Sequence, residues 1–418
     1  MESRTNQSDQ TPGYAWYALG LLMIVYVLNF LDRTIIYLLF PLIKEEMKFS
    51  YFELALLGTT SFVIFYTVLG IPFGRFADRG SRTKMIAVGL ATWSLFSGLT
   101  GFANSFWTLF FCRVMVGVGE ATLGPAAVSL LSDYFPPRMR ATVTSIYSMG
   151  IAVGAGFAAL LGGALSGYGW RTAFFLIGFP GVALAVLVFF LREPARTVVV
   201  NSTDTPHQNY HWQQLLTNKS FILLCAGYAM LGLATNNLSI WGAIFYTRVH
   251  HFDLTTIGLW GGILSLAAGI PATLFGGVIA DWFNRWRRGG GMFYSSLLAF
   301  ISVPFWLLLI FTTDVRLILL ANFVLLAMAL GWLGAAAADV TEIAGVNLRG
   351  LGIAIYFFSV NIAAYLIGSS LIGFLNDQFG ATANPAMMRY ALLVCPVACL
   401  LSGILLLLGS RTLNKAKN

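Results

Sequence analysis

Long apolar runs separated by short polar segments make up most of the chain. About twelve of these runs come close to the roughly 20 residues that a helix needs to cross a bilayer. They cover residues 16–37, 54–76, 85–103, 107–131, 141–165, 172–191, 221–246, 257–280, 292–311, 317–338, 351–372 and 390–408. Lipid offers no hydrogen bonds to the backbone, and the runs lack the alternating pattern of a membrane β-barrel. We therefore predict an all-α integral membrane protein with twelve transmembrane helices.

A polar interval between Leu191 and Phe221 separates six predicted helices from the next six. The halves share sequence patterns, described below, so we expect them to be related by pseudo-symmetry. Residues 1–13 lack the basic start, apolar core and small-residue cleavage site of a removable signal peptide. The predicted organisation is a tail at 1–13, six-helix bundles at 14–191 and 219–409, a linker at 192–218 and a tail at 410–418.

Composition and charge agree with a membrane protein. Hydrophobic residues make up 58% of the chain and charged residues 10%, and the mean hydropathy is +0.77. Most of the 25 Lys and Arg residues fall on the side of the amino terminus, which predicts that both termini are cytoplasmic. We expect a multi-pass protein of the cell membrane, the inner membrane if the source is bacterial. Nucleic acid is not an expected partner, because the basic segments are short and lack interleaved aromatic residues.

Four charged residues interrupt the apolar runs of the first half: Asp32, Arg33, Arg113 and Glu120. A charge at the centre of a membrane helix costs roughly 2.5 to 3.5 kcal/mol, so these four are expected to pair or to face water and substrate. Asp32 should lie at about the depth of Arg113, and we predict an ion pair between them. Glu120 lies seven residues after Arg113, about 10 Å along nearly the same helix face.

These charges suggest roles in transport. Burial favours a protonated carboxyl and a nearby arginine favours a charged one, so Glu120, with Asp32, could carry a proton. Substrate phosphate arriving at Arg113 would weaken the hold of this arginine on the carboxylates. Arg33 could bind an anionic head group or reach toward the membrane surface. The alternative is a static network that fixes helix packing.

Other polar and aromatic residues within helices are weaker candidates for lining a cavity. Asn236 and Trp241 are taken as candidate substrate-binding residues, although packing is the commoner role for each residue type. The remaining candidates of this kind are Tyr26, Tyr37, Tyr66 and Asn237.

Several other functions are disfavoured. The four cysteines fall in predicted helices without metal-ligand neighbours, and the four histidines lie in loops, so no metal or cofactor is expected. We find no nucleophile and base set for a membrane-embedded enzyme, no phosphate-binding loop for ATP and no ring of like residues for a channel filter. A receptor or scaffold role stays open, although it would leave Glu120 unexplained.

A sequence pattern recurs at corresponding places in the two halves. Gly74, Asp78, Arg79, Gly80 and Arg82 follow the second predicted helix. After the eighth helix the chain repeats the pattern as Gly277, Asp281, Arg285, Arg287 and Arg288. A weaker echo follows the fourth and tenth helices, where Asp133 precedes Arg140 and Asp339 precedes Arg349.

With these motifs the chain resembles the major facilitator superfamily. Its loop signature is matched nearly throughout by residues 74–84 and degenerately by residues 277–288, and its helix 4 signature by Arg113, Gly117 and Gly119. The resemblance implies the major facilitator fold, alternating access and a latch that holds the outward-open state. The latch residues would be Gly74, Asp78, Arg79 and Arg82, together with Gly277 and Asp281.

Three segments resemble the spinster branch of this superfamily. They are residues 28–33, residues 117–121, and Gly169, Trp170 and Arg171 leading to Pro180 and Gly181. Spinster proteins export lysophospholipids or sphingosine phosphates, so the resemblance implies an amphipathic anionic lipid as substrate. Apart from the resemblance, protons are the candidate coupling partners, and we expect a monomer in the membrane. Organic anion transporters share parts of these patterns. The chain departs from the branch at Thr122, where serine is usual, and after Trp241, where a nearby proline is missing. A small organic anion, a drug-like amphiphile and uncoupled transport therefore remain alternatives.

Overall fold

The structure, a computed structural model, consists of long helices. It describes residues 12–136, 139–194 and 213–415, and within these ranges it has no strand, which confirms the predicted all-α class. Eleven helices in the described ranges are long and apolar enough to cross a membrane. Arg82–Thr100, which starts with the charged residues Arg82 and Lys84, brings the number to the predicted twelve.

The first half contains α1 to α6, and two of these helices are interrupted. In α2 a π-helical turn joins two α-helical segments, and in α4 the helix is broken after Glu120, in the middle of the bundle. The bounds are Pro12–Met47 for α1; Tyr51–Ala55, Leu56–Thr60 and Ser61–Arg79 for α2; Arg82–Thr100 for α3; Phe106–Glu120 and Leu123–Tyr134 for α4; Arg140–Leu165 for α5; and Trp170–Phe189 for α6.

The second half contains α7 to α12, preceded by a short helix, Gln213–Thr217. Helices α10 and α11 are divided by a kink at Gly345, whose φ of 67° lies in the region that favours glycine. The bounds are Lys219–Val249 for α7, Leu254–Trp286 for α8, Gly290–Phe311 for α9, Val315–Gly345 for α10, Leu348–Gln378 for α11, and Met388–Ala391 with Val394–Lys415 for α12.

Helix α1 is longer than its apolar run predicts. The run ends at Tyr37, whereas the helix continues to Met47. Leu39, Phe40 and Ile43 of this extension are buried, and Lys44 there donates a hydrogen bond from Nζ to the backbone oxygen of Phe49 at 2.7 Å. The ammonium group also lies over the ring of Tyr51, 3.9 Å from its centre. These contacts explain how a lysine is accommodated in the extension.

Contacts near the chain ends define two sides of the bundle. The ring of Tyr14, at the start of α1, lies against Tyr134 at the end of α4, and the backbone N–H of Arg192 donates to the Tyr14 hydroxyl at 2.8 Å. Near the end of α12, Ser410 donates to the backbone oxygen of Gly289, between α8 and α9, at 2.7 Å. We call this the termini side and the opposite one the far side.

The two halves are joined on the far side. The backbone N–H groups of Tyr51 and Phe52, at the start of α2, donate to the Asp377 carboxylate near the end of α11, at 2.9 and 2.8 Å. Thr59 of α2 also donates to Ser369 of α11 at 3.2 Å. One hydrophobic core on this side draws buried residues from both halves, whereas two further cores each lie within one half. The bundle is thus closed between its halves on the far side, and each half keeps its own core toward the termini side.

Candidate substrate-binding and coupling site

Arg33 and Glu120 form an ion pair deep in the first half. Arg33 lies on α1, and Glu120 is the last residue before the break in α4. Arg33 donates from Nε and Nη2 to the same oxygen of Glu120, Oε2, at 3.1 and 2.8 Å. The Glu120 side chain is fully buried and that of Arg33 is 11% exposed. Oε1 of Glu120 is buried without a hydrogen-bond partner, so the carboxylate keeps spare capacity to bind a proton.

Aromatic rings surround the Arg33 guanidinium group. Its central carbon lies 5.0 Å from the ring centre of Phe30, 4.6 Å from that of Phe62 and 4.7 Å from that of Tyr66. The rings of Phe62 and Tyr66 stack on each other, with their centres 5.3 Å apart. Aromatic faces attract cations, so these rings hold the guanidinium group in place beside Glu120.

Asp32 does not form the predicted ion pair with Arg113. The Asp32 carboxylate accepts a hydrogen bond from the Ser97 hydroxyl of α3 at 2.6 Å. Arg113 reaches only the backbone oxygen of Asp32, from Nη1 at 3.4 Å. Neighbouring helix residues point about 100° apart, and here Asp32 faces α3 while Arg33 reaches Glu120. The prediction of an ion pair between Asp32 and Arg113 was therefore wrong. Arg33, the cation next to Asp32 in sequence, pairs with Glu120, the buried carboxylate of α4.

Arg113 is a buried cation with unused donors. Its side chain is fully buried, and its Nε and Nη2 have no hydrogen-bond partner. Its guanidinium carbon lies 5.8 Å from the ring centre of Phe62, which also contacts Arg33. A buried guanidinium normally finds carboxylate or phosphate partners, and these two nitrogens of Arg113 have neither.

The two candidates from the second half lie in different places. Asn236 of α7 accepts a hydrogen bond from the Tyr365 hydroxyl of α11 at 2.7 Å, and Tyr365 lies close to the charge of Arg33. Asn236 is therefore linked to the charged group in the first half. Trp241 is buried between the halves instead, with its ring centre 6.2 Å from Phe40 and 6.1 Å from Tyr51. In this conformation Trp241 belongs to the far-side contact.

Three residues at the site were missed by sequence reasoning: Ser97, Phe62 and Tyr365. Ser97 is a small polar residue in an apolar helix, a signal that is common in membrane helices and therefore weak. Phe62 looks like any apolar residue of α2. Tyr365 lies in a π-helical segment, Ile362–Gly368, and such segments often occur at functional sites, but the sequence does not reveal the π-helical geometry.

The loop motif forms contacts within the first half. Arg82, the first residue of α3, bonds Asp133 of α4 and donates from Nε to Glu193 after α6 at 2.7 Å. Burial raises the pKa of Glu193, but hydrogen bonds from Arg82, Thr83 and Ser81 hold that pKa below its usual range. In this conformation Arg82 thus ties together segments of the first half from α3, α4 and the end of α6.

The other predicted latch residues are less engaged. Arg79 and Asp281 are exposed, and the side chain of Asp78 lies outside the described part of the structure. Gly74 lies near Pro125 of α4. Gly277 allows α8 to approach α10 closely, since a Cβ on Gly334 would lie 3.2 Å from its Cα. In this conformation the two glycines serve packing within their own halves.

The geometry permits an exchange of partners. An anion that enters beside Arg33 and Arg113 competes with Glu120 for Arg33, and a buried carboxylate that loses its cation is stabilised by a proton. Among the described residues no group of three or more His, Cys, Asp and Glu side chains is placed to hold a metal ion.

Known proteins that are similar to this chain include membrane transporters. Residues 22–309 match the family model described as Major Facilitator Superfamily. An MFS-type efflux pump of Mycolicibacterium smegmatis is 29% identical over 409 residues, which cover 96% of this chain and 93% of the pump. Protein spinster homolog 1 of Xenopus tropicalis is 25% identical over 417 residues, which cover 92% of this chain and 78% of that protein.

Solved structures share the fold. A bacterial homolog of the human lysosomal transporter spinster, in an inward-facing and unoccupied conformation, matches with a TM-score of 0.80 over 97% of both chains at 24% identity. A D-xylose-proton symporter matches with a TM-score of 0.74 over 94% of this chain and 97% of its own at 14% identity. At these identities the likeness shows the fold alone.

Proposed function

The chain belongs to the major facilitator superfamily, with relatives in its spinster branch, and on this premise we propose that it moves an amphipathic anionic lipid across the membrane by alternating access. It is a membrane transporter and not an enzyme. The proposed substrate is a lysophospholipid or a sphingosine-phosphate-like lipid. We propose that both termini lie in the cytoplasm, because Lys and Arg residues are concentrated on that side. We also propose that the protein is a monomer in the cell membrane.

The observation that carries this proposal is the buried Arg113 with two unpartnered nitrogens, close to the aromatic surroundings of Arg33. A phosphate is a good ligand for such a fork of donors. The rings of Phe30, Phe62 and Tyr66 offer apolar surface beside the charge. A ligand with an anionic head and an apolar tail satisfies both features at once.

Coupling to protons is proposed at Glu120, with Asp32 as the neighbouring carboxyl. Substrate phosphate would take over donors of Arg33, and Glu120 would then become neutral by binding a proton. Glu120 and the substrate head group would in this way bind Arg33 alternately. The bundle, closed on its far side, corresponds to a conformation that opens toward the termini, which is inward-facing if the termini are cytoplasmic.

A second candidate is the export of a drug-like amphiphile or a small organic anion. Similarity to an MFS-type efflux pump over 96% of this chain favours it. The same arginines would bind the anionic group of such a compound. Two further alternatives are an uncoupled facilitator and a membrane receptor or scaffold.

The test is uptake of a radiolabelled lysolipid phosphate by proteoliposomes, with and without an imposed pH gradient. We expect gradient-stimulated uptake by the wild type and loss of the stimulation in Glu120→Gln, which cannot bind the proton. Glu45→Gln is the matched control, because Glu45 is an exposed carboxylate near the end of the same α1 that carries Arg33.

Each other outcome selects an alternative. Equal uptake by wild type and Glu120→Gln would make the protein a facilitator and Glu120 structural. No lipid uptake, together with uptake of a small organic anion or a fluorescent drug, would favour the second candidate. No transport of any of these compounds would leave the receptor or scaffold role.

A further inference from the structure

A buried carboxylate in the second half lies apart from the site described above. Asp339 of α10 is fully buried. Its Oδ2 accepts a hydrogen bond from the Tyr228 hydroxyl of α7 at 2.7 Å, and the Ser295 hydroxyl of α9 lies 3.0 Å from that of Tyr228. Its Oδ1 has no hydrogen-bond partner. One neutral donor is a small compensation for a buried negative charge.

The start of α9 approaches this carboxylate closely. A Cβ added to Gly291 would lie only 2.4 Å from Oδ1 of Asp339. The backbone N–H of Gly291 donates to Asn284 at 2.7 Å, and that of Gly290 to the backbone oxygen of Arg287 at 3.1 Å. The first turn of α9 therefore packs on Asp339 without giving it these amides.

The surroundings of Asp339 supply no neutralising charge. Among the ion pairs of the described ranges none includes Asp339. The charged group whose field reaches it is Glu342, one turn further along α10, and Glu342 pairs with Arg288 at 3.2 Å. Among the described residues, the titratable side chains that bond it or interact with its charge are Tyr228 of α7, Glu342 of α10 itself and Tyr356 of α11.

In the first half, Asp133 is the carboxylate on the matching helix, and it has a cationic partner. Asp133 lies near the end of α4, the fourth helix of its half, as Asp339 lies on the fourth helix of the other. Asp133 is paired with Arg82, the first residue of α3. The corresponding helix α9 starts with Gly290 and Gly291, and Arg288 just before it pairs with Glu342 instead. The fourth helix of the first half thus carries a carboxylate in an ion pair, whereas Asp339 on the fourth helix of the second half is in none of the ion pairs of the described residues.

We propose that Asp339 is a proton-binding site. An isolated buried charge without a partner is neutralised by taking up a proton, so Asp339 is a carboxylic acid in this conformation. The proton can leave when the first turn of α9 separates from α10 and admits water. The site lies outside the charges of Arg33, Arg113 and Glu120, and it goes beyond the coupling proposed for Glu120.

The test is infrared spectroscopy of the purified protein at neutral pH, which separates the C=O stretch of a protonated carboxyl from the bands of a carboxylate. We expect the wild-type spectrum minus that of Asp339→Asn to contain one carboxylic-acid band. Asp133→Asn is the matched control: its difference spectrum should contain carboxylate bands and no acid band, because Asp133 is paired with Arg82.

A second variant tests the proposal even if Asp339→Asn fails to fold. Tyr228→Phe keeps Asp339 and removes the hydroxyl that bonds it, so the acid band should remain and shift in frequency. Carboxylate bands in the Asp339→Asn difference spectrum, or an acid band that Tyr228→Phe leaves unshifted, would overturn the proposal. No substrate is needed, so this result is independent of the transport assay.

Discussion

At the residue scale, His250 gives the far side a defined dependence on pH. This residue follows α7 directly, and its ring lies 5.2 Å from that of Phe245 and 5.7 Å from that of Phe252. Burial, followed by the charges of Arg389 and His251, lowers the pKa of His250 from 6.5 to about 4. Between these two values the unfolded chain binds the proton and the folded protein does not, so stability falls as the pH drops through this window.

We expect His250→Phe to remove this part of the pH dependence. Phenylalanine keeps the aromatic packing and cannot take up a proton. Apparent unfolding temperatures measured from pH 4 to 7 should therefore fall less steeply toward acid in the variant than in the wild type. His251→Asn keeps the His250 ring and a backbone φ of 58° that asparagine tolerates, so most of the acid dependence should remain in it, because burial is the largest cause of the low pKa of His250. Parallel curves for wild type and His250→Phe would refute the role of this ring.

For the four charged residues in the membrane, the sequence predicts a role but not the pairing. Their insertion cost predicts that they matter, but their pairing depends on side-chain direction and on neighbours from other helices. Asp32 faces Ser97 of α3, and Arg33 faces Glu120. Sequence gives the helix positions of both residues but not the rotation of α1 against α3 and α4, which decides between the two pairings.

At the element scale, glycines set the distance between α3 and α6. A Cβ on Gly178 would lie 2.2 Å from the backbone nitrogen of Gly98. We expect Gly178→Ala to force the helices apart and to destabilise the protein by about 1–3 kcal/mol. Gly70→Ala is the control, because a Cβ there meets nothing within 4 Å and alanine is the better helix former. The apparent unfolding temperature should drop in Gly178→Ala alone, and a similar drop in both variants would contradict the close-contact argument.

The helices themselves follow from the apolar runs, but their interruptions do not. The π-helical turn Leu56–Thr60, the break after Glu120 and the kink at Gly345 all fall within or beside predicted spans. The apolar pattern of a single run does not mark any of the three. The break after Glu120 matters most for the site, because it ends the helix that carries the carboxylate.

At the scale of the whole molecule, contacts between the halves are concentrated on the far side. Asp377 of α11 binds the first two backbone N–H groups of α2, and Ser50 and Glu53 complete a capping box at the same helix start. A carboxylate at a helix amino terminus is favoured by the free amides and the helix dipole. This contact joins α2 to α11 and therefore one half to the other. The latch predicted from the loop motif lies on the opposite side, so the far-side closure rests on residues that the motif does not include.

We expect Asp377→Ala to favour opening on the far side. The variant loses two charge-assisted hydrogen bonds between the halves, each worth roughly 1.5–3 kcal/mol, so the ratio of closed to open states should fall by about a hundredfold or more. The readout is the labelling rate of a cysteine introduced at the buried interface residue Thr60 by a water-soluble thiol reagent, since the four native cysteines are buried. Asp314→Ala is the matched control, because Asp314 caps α10 within one half by accepting from the Arg316 N–H at 2.8 Å. Faster labelling in Asp377→Ala alone would assign the closure to the contact between α2 and α11, whereas equal rates in the two variants would show that the hydrophobic core on this side keeps the halves together without Asp377.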